Sequence, residues 1–285
     1  MMLAAIISKP GKNELYTLLP ELMAWLASRE YNSVLDLDSA CYVPGASGVP
    51  RPELPERKPN LVIVLGGDGT LIAAARSFAE TSTPILSVNL GSLGFLTEVP
   101  LSDLFGTLDA WCTNQASIDT REMMHAVLRR DDKIVQEWTA LNDVVVAKGT
   151  IARMADFRVD IDSQLVANFR ADGIIISTPT GSTAYNLAAN GPIVMPSVSA
   201  TVVTPICPHL LTLRPIVVPS SSTVCVHVIG VPNETYLTVD GQEAVALQLG
   251  DHVSCKRSAN VVRLLRHQPN GLFNVLRSKL KWGER

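Results

Sequence analysis

The chain lacks a basic excess. Against 24 Lys and Arg stand 27 Asp and Glu, a formal net charge of −3. The charges are interspersed, without a long run of one sign. Binding driven by bulk charge is therefore not expected, and no nucleic-acid partner is implied. Cysteine is scarce and odd in number, five in all, and no pair is spaced C-x-x-C. That argues against a disulfide framework or zinc knuckle and for reduced thiols in a cytoplasm. The five histidines form no H-E-x-x-H cluster. No apolar run approaches the roughly 20 residues a membrane helix needs, so no membrane span is expected. The opening "MMLAAIISKPGK" is too briefly apolar for a signal segment and lacks its basic flank. It reads as a first strand that stops at Lys9-Pro10-Gly11. No internal repeat is present.

What is there is apolar material. Of 285 residues, 47% are hydrophobic and 18% charged, enough for a sizeable core and two domains. Residues 13–28 have helical apolar spacing, with Pro20 as a flaw. "SVLDLD", 33–38, reads as a strand. Residues 43–60 are rich in proline and glycine and read as a mobile loop. Leu61–Leu65 is an unbroken apolar run, as in a parallel strand covered on both faces. Thr70–Ala79 favours helix, and Pro84–Val88 is another strand. Strand, helix and strand joined by glycine turns make a βαβ unit. After about residue 118 the segments become short and rich in Val, Ile and Thr. The fold class expected is an α/β N-terminal domain with an open, mainly parallel Rossmann-like sheet, and a β-rich, sandwich-like C-terminal domain. The boundaries are 1–115 and 116–262, with a tail, 263–285, packing back on the first domain as an amphipathic helix.

Two stretches carry chemistry. In "LVIVLGGDGTL", Gly66, Gly67 and Gly69 permit unusual backbone conformations and let a ligand approach the main chain. The helix starting near Thr70 offers amides and a positive dipole end to an anion. Asp68, amid those amides, would repel phosphate. It is either turn chemistry and a helix cap, or a carboxylate facing a hydroxyl beside the phosphate. In the second case it accepts a proton or helps place Mg²⁺. The loop is not a Walker A, because the Gly-Lys-Ser/Thr ending is absent. The second stretch, "ADGIIISTPTGSTAY", is a strand stopping at a hydroxyl-rich turn, with a helix start near Ser182. Its hydroxyls and the amides of Gly181 to Thr183 form a second polar cradle, and Tyr185 offers a ring to a base. Asn142-Asp143 precedes a β-run. An Asn amide can read an adenine edge, and an acid can take ribose hydroxyls.

These residues resemble the NAD kinases of the bacterial type. "GGDGT" (66–70), "NLGSLGFL" (89–96), "LND" (141–143), "DGIIISTPTGSTAYNLAANGPIV" (172–194), "TPICPHLLTLRPIVV" (204–218) and "VDGQ" (239–242) stand in that family's order. Diacylglycerol, sphingosine and phosphofructokinases carry a turn like "GGDGT". The Thr-Pro-Thr-Gly-Ser-Thr-Ala-Tyr block is the more diagnostic. The resemblance implies transfer of the γ-phosphoryl group of ATP to the adenosine-ribose 2′-hydroxyl of NAD. It implies Asp68 as general base at that hydroxyl, and Gly66, Gly67, Gly69 and Thr70 at the phosphates. Asp68 and Gly69, with Asn142, Asp143, Asp172, Thr180, Thr183, Ala184 and Tyr185, are implied NAD contacts. Arg153, Asp240 and Gln242 are further candidates. Mg²⁺ or another divalent cation is expected to come with ATP, without a dedicated protein metal site. A cytoplasmic homodimer or homotetramer is implied, and polyphosphate is an alternative donor.

Two departures stand out. The family's Asn-Glu pair is Asn142-Asp143 here, one methylene shorter with the charge kept. Where many members read Ser-Leu-Ser after the tyrosine, this chain has Asn186-Leu187-Ala188, so a hydroxyl is missing at 188. Two other readings compete. A catalytically silent NAD(P)-binding sensor would have no need for Asp68. A lipid or sugar kinase sharing the turn would need a greasy cleft or a sugar-phosphate clamp.

Overall fold

A computed structural model of the chain describes residues 2–91, 93–149, 154–230, 235–266 and 272–283. It divides into two compact units, residues 1–120 with 262–285, and residues 121–261.

The first unit is built on a parallel sheet. Its strands run in the order Gly48–Val49, Tyr31–Asp36, Met2–Ser8, Leu61–Gly66, Ile85–Asn89. Leu264 and Leu265, near the end of the long strand His252–Arg266, pair in parallel with Ile85 and Leu86. The chain thus returns to this sheet before its terminal helix, Leu272–Leu280. Every residue of Leu61–Gly66 is buried, as an unbroken apolar run between two covered faces requires. The helix Leu15–Ser28 runs through Pro20 without a break and buries Leu15, Leu18, Leu19, Leu22 and Leu26. Pro20 lies on the solvent side, where the carbonyl it leaves without a helical donor is not forced into the core.

Residues 43–60 correct the expectation of a mobile loop. Gly48–Val49 adds a short edge strand and Arg51–Arg57 forms a 3₁₀ helix whose Leu54 is fully buried. Arg51 holds the segment down. Its Nε lies 2.6 Å from Asp36, and its Nη2 lies 2.6 Å from Asp38 and 3.0 Å from the Ser8 carbonyl. Proline and glycine content signalled the turns but not this anchor.

The second unit is a two-layer β structure. One layer is an antiparallel sheet ordered Ile216–Pro219, Ala200–Ile206, Gly173–Ser177, Asp143–Lys148, Thr235–Val239, Glu243–Leu247. Inward residues of that layer, such as Val144, Ile174, Ile176 and Leu237, share one core with Phe157, Phe169, Val226 and Val253 of the other strands. The alternation of buried and less buried residues in Val224–Gly230 is the period-two pattern of a sheet strand with one face on the core.

Candidate functional site

In the first unit the Gly66–Thr70 turn sits at the carboxyl end of Leu61–Gly66, where open α/β sheets bind ligands. The following helix, Asp68–Ser77, takes Gly67 as its N-cap, so Asp68 is the first helical residue rather than the cap. Thr70 N and Leu71 N both donate to the Gly67 carbonyl. Gly66, Gly67 and Gly69 do not use the left-handed conformations that glycine permits. Their value is space. A Cβ on Gly66 would lie 2.6 Å from Thr70 Oγ1, whereas Gly67 and Gly69 face nothing within 4 Å and leave the backbone open to approach.

The Asp68 side chain is held by the segment that follows Ile85–Asn89. Its Oδ1 accepts from Leu96 N at 3.1 Å, Thr97 N at 2.9 Å and Thr97 Oγ1 at 2.9 Å. Its Oδ2 accepts from Phe95 N at 2.9 Å. A run of consecutive amides closing on one carboxylate fixes its aim. Gly94 makes this closure possible, because a Cβ there would sit 2.0 Å from Asp68 Oδ1 and 2.3 Å from Thr97 Oγ1. Asn89 Nδ2 donates to Thr97 Oγ1 at 3.0 Å, and Lys12 Nζ donates to the Leu90 carbonyl at 3.2 Å. The partners in "NLGSLGFLT" were legible as a motif, but their contact with Asp68 spans nearly thirty positions and had no sequence signal.

In the second unit, register gathers the other motifs. Asp143–Lys148 is flanked by Gly173–Ser177 and Thr235–Val239, both antiparallel to it. The start of the central strand therefore meets the ends of both neighbours: Ser177 pairs with Asp143, and Val239 with Val144. This brings "LND", "TPTGSTAY" and "VDGQ" to one sheet end. Asp240 and Gly241 are the two left-handed residues of the hairpin turn, at φ of 52° and 65°. The Asp240 carboxylate turns inward. Leu141 N donates to its Oδ2 at 2.9 Å, and Asn142 N and Asp143 N donate to its Oδ1 at 2.7 and 3.1 Å. Gln242 is exposed in the same turn. Asn142 is buried, and its side-chain oxygen has no hydrogen-bond partner among the described residues. An orphaned buried acceptor of this kind suits a ligand N–H.

Asp143 is buried, and burial, with a smaller contribution from the charge of Asp240, pushes its carboxyl up to about 7. Near neutrality this acid therefore holds its proton far more readily than a solvated aspartate does. Asp172 precedes Gly173–Ser177 and forms a 2.9 Å ion pair with Lys148.

The hydroxyl-rich loop departs from the cradle expected of it. Residues Thr180–Thr183 form a 3₁₀ turn, followed by the one-turn helix Tyr185–Ala188. The hydroxyls are engaged by other groups of the protein. Thr178 Oγ1 donates to the Leu141 carbonyl at 2.6 Å, and Ser182 Oγ donates to the Pro179 carbonyl at 2.7 Å and accepts from Val194 N at 3.0 Å. Thr180 Oγ1 lies 3.4 Å from Arg121 Nη1, and Thr183 Oγ1 lies 3.4 Å from the Thr180 carbonyl. Tyr185 presents its ring to solvent, with Ala184 half-buried beside it. Gly181 packs on the Asn142 backbone, where a Cβ would meet the Asn142 carbonyl oxygen at 2.1 Å. The departure at 186 has a structural explanation. Fully buried Asn186 donates to the Ser182 and Pro192 carbonyls, each at 3.0 Å, and accepts from Thr204 Oγ1 at 2.6 Å. Ala188 is exposed, so its missing hydroxyl leaves no buried gap. Arg153 lies outside the described residues.

The same motifs recur in known proteins. Residues 52–116 match the ATP-NAD kinase N-terminal domain and residues 141–267 the ATP-NAD kinase C-terminal domain. The NAD kinase of Acidobacterium capsulatum is 62% identical over 281 residues, covering 99% of each chain. That likeness over the whole length decides the family. The chain belongs to the NAD kinase family. The NAD kinase of Koribacter versatilis is 48% identical over 100% of both chains. Among solved structures, a yeast NADH kinase complexed with NADH superposes with a TM-score of 0.92 at 25% identity, covering 100% of this chain and 89% of that one. An Archaeoglobus fulgidus NAD kinase complexed with ATP shares the fold, with a TM-score of 0.78 at 22% identity, covering 98% of this chain and 99% of that one. Membership makes the chain a kinase by family, with a parallel α/β part and an antiparallel β-rich part as in those structures.

Proposed function

We propose that the protein phosphorylates the 2′-hydroxyl of the adenosine ribose of NAD, with ATP as donor, and that Asp68 is the general base. The observation that carries the base assignment is the Asp68 carboxylate, gripped by the amides of Phe95, Leu96 and Thr97 at the mouth of the phosphate turn. Its Oδ2 accepts only one hydrogen bond among the described residues, so a lone pair remains for a hydroxyl proton.

In the step itself the 2′-oxygen bonds to the γ-phosphorus and the bond from that phosphorus to the β–γ bridging oxygen breaks. ADP leaves, and the hydroxyl proton passes to Asp68. A positioned base contributes about 10²- to 10⁴-fold, and alignment and charge stabilisation supply most of the rest. The turn backbone at Gly66, Gly67, Gly69 and Thr70 is assigned to the donor phosphates. Asn142 is assigned to the adenine edge through its orphaned oxygen, and Asp143 to ribose hydroxyls. Asp172 is assigned to the nicotinamide end. Thr180, Thr183 and Ala184 are assigned to the nucleotide-facing loop, where Tyr185 stacks on a base. Mg²⁺ belongs to this reading as part of the donor substrate. Among the described residues no group of three or more His, Cys, Asp or Glu gathers that could hold it. No helix among the described residues is long and apolar enough to cross a membrane. A cytoplasmic homodimer or homotetramer and polyphosphate as a second donor extend the proposal. Neither the silent sensor nor the lipid or sugar kinase has support in the relatives found.

The test is NADP formation from NAD, ATP and Mg²⁺, read through a strictly NADP-dependent dehydrogenase. Wild type should produce NADP. Asp68→Asn should lose turnover by about 10²-fold or more while binding NAD within several-fold. Near-normal turnover in a folded Asp68→Asn would remove the base assignment. No NADP from folded wild type with either donor would remove the kinase reading itself.

A further inference from the structure

The hairpin turn at Asp240 holds more than itself. Its carboxylate accepts three consecutive amides, from Leu141, Asn142 and Asp143, with both oxygens engaged. Asp240 N donates in return to the Asp143 carbonyl at 2.9 Å. On the opposite side Thr178 clamps the carbonyls: Thr178 N donates to Asn142 O at 2.9 Å, and Thr178 Oγ1 to Leu141 O at 2.6 Å. The peptide groups of 141–143 are therefore tied from both sides. The side chains they carry are the orphaned acceptor of Asn142 and the buried acid of Asp143. A carboxylate that satisfies three amides in a row acts as a local template for the backbone. Asp240 is itself buried, with 8% of its surface exposed.

We propose that Asp240 is a positioning residue for the acceptor nucleotide: it sets the Asn142–Asp143 turn through the backbone rather than touching NAD. This rests on the reading above that Asn142 and Asp143 meet the adenosine part of NAD. It separates Asp240 from the contact residues with which the sequence grouped it.

Two variants remove the carboxylate while respecting the left-handed turn. Asp240→Asn tolerates that conformation and keeps one acceptor oxygen; Asp240→Gly adopts it freely and keeps none. NAD and ATP are titrated separately in the coupled NADP assay. In parallel, amide hydrogen exchange is followed at 141–143 in the nucleotide-free protein. The expected result is an NAD KM raised about tenfold or more, larger for Gly than for Asn. The ATP KM and kcat should stay within about threefold, and amide protection should be lost locally at 141–143 before NAD is added. A merely structural residue would lower the active fraction and kcat while leaving the NAD KM alone. An unchanged NAD KM in a folded Asp240→Gly overturns the proposal. So does a raised NAD KM with full amide protection, which would mark a direct contact instead. If wild type forms no NADP, the functional reading fails, and retained protection at 141–143 in Asp240→Gly would still sink the template on its own.

Discussion

Replacing Asp143 by Asn should change how stability depends on pH. In the folded protein burial, aided by the charge of Asp240, raises this carboxyl from 3.8 to about 7. The folded state therefore holds the proton to higher pH than the unfolded chain does. The stability so gained is fully present below the unfolded value and is lost as pH rises through about 7. The whole displacement, at about 1.4 kcal/mol per pH unit, is about 4 kcal/mol. Between about pH 5 and pH 8, one carboxyl with these two values removes about 2.5 kcal/mol of stability. Asn cannot ionise, so the variant should lack this slope. Urea unfolding followed by tryptophan fluorescence, with Trp138 reporting on the same unit, measures it at both pH values. Subtracting the variant from wild type cancels the titrating groups that do not interact with Asp143. The difference should grow by about 2.5 kcal/mol in favour of the variant between the two pH values. Parallel curves, agreeing within about 0.5 kcal/mol at both, would mean that the acid is well solvated or paired when charged. The buried, half-protonated Asp143 would then be wrong.

Two other outcomes follow from the first unit. Gly94→Ala puts a methyl where Asp68 Oδ1 lies, 2.0 Å from the new carbon. The base should move by about an ångström and kcat should fall about 10²-fold in a protein that still folds; near-normal kcat in the coupled assay would show that the grip is dispensable. Arg51→Met strips the cation from Asp36, which is only 1% exposed, and should cost about 3 kcal/mol. In the Asp36→Asn background the same change should cost much less. Equal costs in both backgrounds, read from urea midpoints, would deny the coupling.

Much of this protein was legible in its residues alone. The unbroken run Leu61–Leu65 read as a strand covered on both faces, and it is one. Local composition also divided a helix-bearing first half from a strand-rich second half. These features depend on neighbours within a few positions, which is the range over which propensity and periodicity act. Three things were settled only by the tertiary structure. Arg51 reaches Asp36, Asp38 and the end of the first strand, which turned an expected mobile loop into an anchored 3₁₀ helix. The hydroxyls of the Thr-rich loop turned inward, because the buried carbonyls of Leu141 and Pro179 needed donors there. Asp68 met the amides of 95–97, and Asp240 those of 141–143, across separations that only sheet register closes. A residue's type can announce that it carries charge or donates a hydrogen bond. Which partner receives it depends on how strands align over a hundred positions, and on how far burial makes an unpaired group costly.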